Sequence, residues 1–253
     1  MSQDLPPVSF ETPGPWTLVV SVPSGDLHVR THPLPRTDVE ILNIRDPQDI
    51  VVRADEGSRE VSITQSRKGR FNWRGSSSNV NVMVPEGTVV RVQGEALDTD
   101  VSGRTGGLTV NTASGDIRVE HVDGDLRTHS ASGDLSVDHV GGSLLVRSAS
   151  GDLRVGRADR DVTVQSVSGD VIIERLSSGR TSIHSVSGDI DLGVAPGLQV
   201  HLEMSSVSGT ARPELDMGSG VSDDGMPTDV ALDIAVRTVS GDMRVRRAHE
   251  VYG

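Results

Sequence analysis

Six aspartates occupy one place in a recurring motif. Asp116, Asp134, Asp152 and Asp170 each follow a Ser-Gly pair at eighteen-residue intervals, and Asp189 and Asp242 follow the same pair further on. A carboxylate repeated at a fixed step suits three kinds of chemistry. The first is calcium ligation between stacked turns, as in nonapeptide rolls of the Gly-Gly-x-Gly-x-Asp type, which close a coil in about 18 residues. Here a single Gly directly precedes the Asp, and each unit carries three apolar positions instead of one. A calcium set of Asp116, Asp134, Asp152, Asp170 and Asp189 therefore stands as an alternative. The second is catalysis by paired carboxylates, at about 5 Å for a retaining glycosidase and about 9 Å for an inverting one. An active site is singular, whereas this Asp recurs throughout. The third is structural: each Asp accepts backbone N–H bonds in its own turn, as Asx turns do, with Arg118, Arg154 and Arg244 nearby to offset repulsion. The structural role is the expectation.

Other residues point to chemistry less specifically. His121 and His139 lie eighteen apart and could hold a metal, but Arg157 and Arg175 continue their column, which predicts a solvated polar position. Ser114, Ser132, Ser150 and Ser168 have no His and acid partner implied by spacing and no Gly-x-Ser-x-Gly context, so they are expected as turn residues. The run Arg67-Lys68-Gly69-Arg70-Phe71-Asn72-Trp73-Arg74 mixes cations with aromatics, a composition that stacks on single-stranded nucleic acid. In an acidic chain it is expected to be a hairpin or loop with Trp73 packed on the N-terminal cap. No phosphate loop or dinucleotide fingerprint is present, and no cofactor is expected.

The composition narrows the classes. A net charge of −12 argues against nonspecific duplex binding, which depends on neutralising phosphates with Lys and Arg. With no cysteine, disulfides, zinc–thiolate sites and thiol catalysis are excluded. Residues 1–10 lack a basic segment followed by an apolar run, and no stretch approaches the roughly 18 apolar residues of a membrane helix. These features predict a cytoplasmic location without a membrane span.

The elements that position these residues are themselves periodic. Gly106, Gly115, Gly124, Gly133, Gly142, Gly151 and Gly169 fall on one nine-residue grid, broken only at Arg160. Two residues after each grid position, from Leu108 to Val171, the side chain is apolar. Two further on, from Val110 to Ile173, it is apolar again except at Thr128, and three beyond those, from Ala113 to Leu176, it is apolar throughout. The first two columns alternate with polar residues such as Arg118, Arg127, Ser136 and Arg154, the period of a strand with one buried face. The third column is expected at a corner, where small Ala and Val fit.

Each unit is thus a short strand and a Gly turn, and two units close a coil of eighteen residues whose neighbours pair in parallel at about 4.8 Å. Gly115, Gly133, Gly151, Gly169, Gly188 and Gly241 are the predicted structural turns, because the turn needs a backbone conformation that other residues resist. Helical periodicity appears nowhere. The fold expected is all-β, a parallel β-helix (β-solenoid) of about 18 residues per coil.

Residues 1–84 are strand-like but off the grid, with one early Ser24-Gly25-Asp26, and are expected to form an antiparallel β-rich cap; residues 85–253 form the solenoid. The Gly-, Pro-, Ser- and Asp-rich segment 212–229 is expected as an inserted loop. The run from Val230 to Val236 then leads into Ser240-Gly241-Asp242 as a final rung.

This combination resembles the DUF4097 family, whose members are also described as candidate adhesins or head-GIN-related β-strand-repeat proteins. The residues that carry the likeness are the Pro85-to-Gly87 strand start, the serial Ser-Gly-Asp-[Leu/Ile/Val]-x-Val units, and the closing Val236-to-Asp242 segment. The resemblance implies a β-solenoid and brings no catalytic residues. Function is expected to be non-enzymatic: a structural scaffold, self-assembly or adhesion and binding module, with a homo-oligomer, filament, protein or glycan as partner. The alternatives are a carbohydrate-binding or carbohydrate-active β-helix, whose groove is expected beside the 212–229 loop, and a calcium-binding roll.

Overall fold

A computed structural model describes residues 4–44, 49–65, 78–215 and 231–248. Its strands, in chain order, are β1 (Val8–Glu11), β2 (Thr17–Ser21), β3 (Ser24–His32), β4 (Arg36–Leu42), β5 (Ile50–Asp55), β6 (Glu60–Gln65), β7 (Ser78–Pro85) and β8 (Val89–Gln93). They continue as β9 (Ala96–Thr105), β10 (Gly107–Thr112), β11 (Ile117–Val122), β12 (Leu126–Ser130), β13 (Leu135–Val140), β14 (Leu144–Ser150), β15 (Leu153–Ala158) and β16 (Val162–Ser168). The last are β17 (Val171–Leu176), β18 (Arg180–His184), β19 (Ile190–Val194), β20 (Gln199–Ser208), β21 (Ala211–Glu214), β22 (Ala231–Ser240) and β23 (Met243–Arg247). None of these elements is an α-helix, and no helix among the described residues is long and apolar enough to cross a membrane.

Two long sheets enclose one core. A 12-stranded sheet runs β1-β4-β7-β3-β9-β11-β13-β15-β17-β19-β23-β21, and an 11-stranded sheet runs β20-β22-β18-β16-β14-β12-β10-β8-β2-β6-β5. The chain alternates between them, so β10 with β11, or β12 with β13, makes one coil. Register follows the sequence period: Leu108 pairs with Leu126, Leu126 with Leu144 and Leu144 with Val162. On the other sheet Ile117, Leu135, Leu153 and Val171 stack in the same way. All of these are buried, as are their partners two residues on. Each fully buried Leu or Val contributes about 1.5–3 kcal/mol relative to exposure. Thr128, the one polar member of the second column, is buried too, and its hydroxyl has no hydrogen-bond partner.

The third apolar column divides. Val122, Val140, Ala158 and Leu176 are buried at one corner, while Ala113, Ala131, Ala149 and Val167 are exposed at the other. A nine-residue repeat describes half a coil, and the two corners face different surroundings. The expected uniform corner is therefore half core and half exposed ridge.

Both ends depart from chain order. Among the described residues, antiparallel pairing is confined to β1–β4, β4–β7 and β5–β6. β2 and β3 pair in parallel with β8 and β9, so the Ser24-Gly25-Asp26 segment is a full member of the stack. β6 and β7 lie outside them, although they follow later in the chain. At the far end β22 and β23 stack directly on β18 and β19, and β20 and β21 stack beyond them. Among the described residues the Ser240-Gly241-Asp242 coil is consequently the penultimate rung, not the last. Residues 212–214, expected within a loop, belong to the edge strand Ala211–Glu214; residues 216–229 of that expected loop lie outside the described residues, as do Val230 and the Arg67–Arg74 run with Trp73.

Candidate functional site

The Ser-Gly-Asp turns stack into a corner running the length of the rod. Gly133 has a φ of 114°, in the region L side chains rarely adopt, and a Cβ there would come within 2.2 Å of the Gly115 carbonyl oxygen. Coils approach too closely at this corner for any residue but glycine.

The aspartates do not cap their own turns as expected. Each accepts from the next coil: the Asp116 N–H donates to Asp98 Oδ1 at 2.9 Å, Asp134 to Asp116 at 3.1 Å and Asp152 to Asp134 at 2.8 Å. Asp170 donates to Asp152 at 2.9 Å, Asp189 to Asp170 at 2.8 Å and Asp242 to Asp189 at 2.8 Å. The Thr210 N–H closes the series on Asp242 at 2.9 Å. Because stacked carboxylates at the rung spacing repel, an amide dipole aimed at each one is what makes the column tolerable. Among the described residues no group of three or more acidic or histidine side chains is placed to hold a metal ion. Arg244, expected beside the column, pairs instead with Glu214 at 3.2 Å.

The serines of the motif also bridge coils. Ser132 Oγ donates to the Ala113 carbonyl at 3.4 Å and Ser150 Oγ to the Ala131 carbonyl at 3.3 Å. Two residues before each, Ser130 and Ser148 donate to the carbonyls of Ser132 and Ser150. The motif serines thus sit in the turns as expected, with their hydroxyls bonded to the neighbouring coil.

On the opposite corner His121 and His139 meet edge to face, with ring centroids 5.5 Å apart. His139 Nε2 lies 2.8 Å from Asp159 Oδ2, and Arg157 Nε donates to Asp159 Oδ1 at 2.6 Å. Burial pushes the Asp159 carboxyl up, but the hydrogen bonds from His139 and Arg157 outweigh it and hold the group below its ordinary value. Within this column His121, His139 and Arg175 are partly buried, Arg157 is exposed as expected, and His139 and Arg157 share Asp159. Nearby, Asp125 is held low chiefly by the Ser143 amide, with Arg127 beside it at 2.8 Å.

A feature the motifs did not announce lies on the face of β10, β12, β14 and β16. A groove of about 600 Å³ runs along the rod axis there. One wall presents one outward side chain per coil, Gln93, Asn111, His129, Arg147 and Gln165, in register by the ladder. The other wall is the exposed ridge of Ala113, Ala131 and Val167, and Thr112, Ser130, Ser148 and Ser166 form the floor. The repeat carried the ridge as every second member of its third apolar column, but only the closed coil shows that these members face out. A second depression of about 270 Å³ gathers Asp170, Asp189, Asp191 and Asp242 with Arg212 and Arg244 beside β21. The larger groove follows the corner ridge and is lined by none of residues 212–215, the described part of the segment expected to flank it.

The profile of the Toastrack DUF4097 family matches residues 17–246. The chain belongs to that family. Among solved structures, this Toastrack protein is similar to a candidate adhesin from Parabacteroides distasonis, with 12% identity, 96% of this chain and 97% of that one covered, and a TM-score of 0.56. It is similar also to a candidate lipid-binding protein of the same organism, with 13% identity, coverage of 95% and 96%, and a TM-score of 0.56. At such identities these likenesses show a shared fold. No curated protein matches the chain.

Proposed function

We propose that this Toastrack protein is a non-enzymatic binding module of the adhesion or scaffold class, and that its partner is an extended polymer seated in the axial groove. The observation that carries this reading is the groove's repetition. Five successive coils each offer one amide, imidazole or guanidinium group, set against an apolar ridge and a hydroxyl floor. Steps of about 4.8 Å along a parallel ladder suit a ligand that is itself linear and repetitive. The ladder fixes the backbone, so side chains are presented with little ordering left to do on binding.

A carbohydrate chain is the second reading, favoured by the lining chemistry. Asn111, Gln165, His129 and Arg147 can hydrogen-bond hydroxyls or uronic carboxylates while the Ala and Val ridge packs on sugar faces. The test is a panel of immobilised glycans and extracellular-matrix proteins, read by biolayer interferometry. The Arg147→Ala and His129→Ala variants should weaken the selected ligand at least about tenfold, or about 1.4 kcal/mol each. Retained affinity in both variants would remove the groove from the function. Release of reducing sugar from any panel member would overturn the non-enzymatic reading.

A further inference from the structure

The two ends of the rod differ. At one end β5 folds back on β6 as an antiparallel hairpin, with Ile50 buried and Arg53, Ala54 and Asp55 exposed. At the other, the 11-stranded sheet stops at β20, and among the described residues no strand pairs with its outer edge. β20 is ten residues long, QVHLEMSSVS, and contains no proline. Long, proline-free open edges invite pairing with another chain. The last strand of the other sheet, β21, is short and carries Pro213, which has no N–H to offer.

The inward row of β20 is also unfinished. Val200, Leu202 and Met204 are packed against the core yet only partly buried. Their register partners one coil further in, Leu232, Ile234 and Val236, are each 0% exposed. What this row lacks is one more coil.

We propose that β20 is the two-fold interface of a tail-to-tail homodimer, in which it pairs antiparallel with β20 of a second copy. A dyad normal to the sheet keeps inward faces inward, so the 11-stranded sheet and the core beneath it continue into the partner, while β21 with its Pro213 adds no ladder. One register satisfies the side chains. With Leu202 opposite Leu202 on the dyad, Val200 meets Met204 and His201 meets Glu203, twice over by symmetry. An isologous patch must be complementary to itself, and this one pairs apolar with apolar and imidazole with carboxylate. Glu203 already accepts from Arg237 of its own chain at 3.3 Å, so the second copy adds a donor to a carboxylate whose other side is occupied. Because the contact is isologous, pairing uses the β20 edge of both copies and the assembly closes at two. This interface uses none of the groove residues and stands independently of the proposed ligand.

Light scattering after size exclusion at micromolar concentration should give twice 26.8 kDa, and Leu202→Lys should give 26.8 kDa with the strand signal in circular dichroism unchanged. Cysteine mapping reads the register in a chain that has no cysteine of its own. Leu202→Cys should oxidise readily to a linked dimer, because directly opposed antiparallel residues have Cα atoms about 4.5–5.5 Å apart, within the span a disulfide bridges. Val200→Cys alone should link at least about tenfold more slowly, and should link readily only when mixed with Met204→Cys. A wild-type chain that stays monomeric at every concentration, or Val200→Cys linking to itself as fast as Leu202→Cys, would overturn the proposal. Arg147→Ala, which tests the groove, should leave the dimer intact.

Discussion

The backbone N–H of Asp134 donates to Oδ1 of Asp116 at 3.1 Å, across the step between two coils. The same bond repeats along the corner, so each carboxylate that repels its neighbours is held by an amide of the next turn. The column is thereby a fastening between coils, with the charge as the strong half of each bond.

That role separates two substitutions. Asp134→Ala removes the acceptor of the Asp152 N–H and should cost about 1 kcal/mol in urea denaturation. Asp134→Asn retains an acceptor oxygen and relieves like-charge repulsion, so it should cost less than half as much. Equal losses would show that the charge, not the acceptor, is what the turn requires.

Calcium should leave the protein unchanged. With the Oδ1 atoms of the column engaged by amides and no metal-holding cluster among the described residues, the thermal midpoint should be the same with added calcium or chelator. A rise with calcium that a chelator reverses would revive the roll-type reading.

Glycine is needed at Gly133 for two reasons, and a control separates them. Gly133→Ala adds a Cβ about 2.2 Å from a backbone oxygen at a φ of 114°, and should cost at least about 3 kcal/mol or prevent folding. Gly87→Ala, at a φ of 78° with nothing within 4 Å, meets only backbone strain and should cost about 1–2 kcal/mol. Midpoints from chemical denaturation compare the pair directly.

Thr128 offers the opposite outcome. Its buried hydroxyl has no partner and sits in a column of Val. Thr128→Val replaces it with a methyl of similar size and should stabilise the rod by about 1 kcal/mol. A lower melting temperature would mean that the hydroxyl is satisfied in solution.

Acid should weaken the fold through the far corner. Asp125 is held below its ordinary value chiefly by the Ser143 amide; Asp159 is raised by burial but lowered further by His139 and Arg157. A carboxyl depressed in the native state binds its proton more readily when unfolded. Its contribution is therefore complete above the unfolded value of about 3.9 and is lost as pH falls through the lower native value. The urea midpoint should drop below about pH 4, and Asp159→Asn should flatten that fall. A drop that is identical in the variant would assign the acid sensitivity elsewhere.

Much of the architecture was legible in the residues. Leu108, Val110, Leu126 and their counterparts alternate with polar side chains and recur every nine positions, and only a wound ribbon of stacked strands buries such a series on one side. The turn glycines were legible for the same reason, since their spacing marks where the coils come closest. The groove was less so: Ala113 and Val122 look alike in the repeat, yet one corner borders solvent and the other the core.

By itself, then, the sequence determined the repeat, its inward faces and its corners, because these are local patterns that hold at every coil. Tertiary structure alone decided which coil stacks on which at the ends, where β20 and β21 lie beyond β22 and β23, because open sheet edges are matched by long-range contact and not by chain order. It also decided that the aspartates bond to the next coil rather than to their own turn. Partners eighteen residues apart become neighbours only once the ribbon has closed.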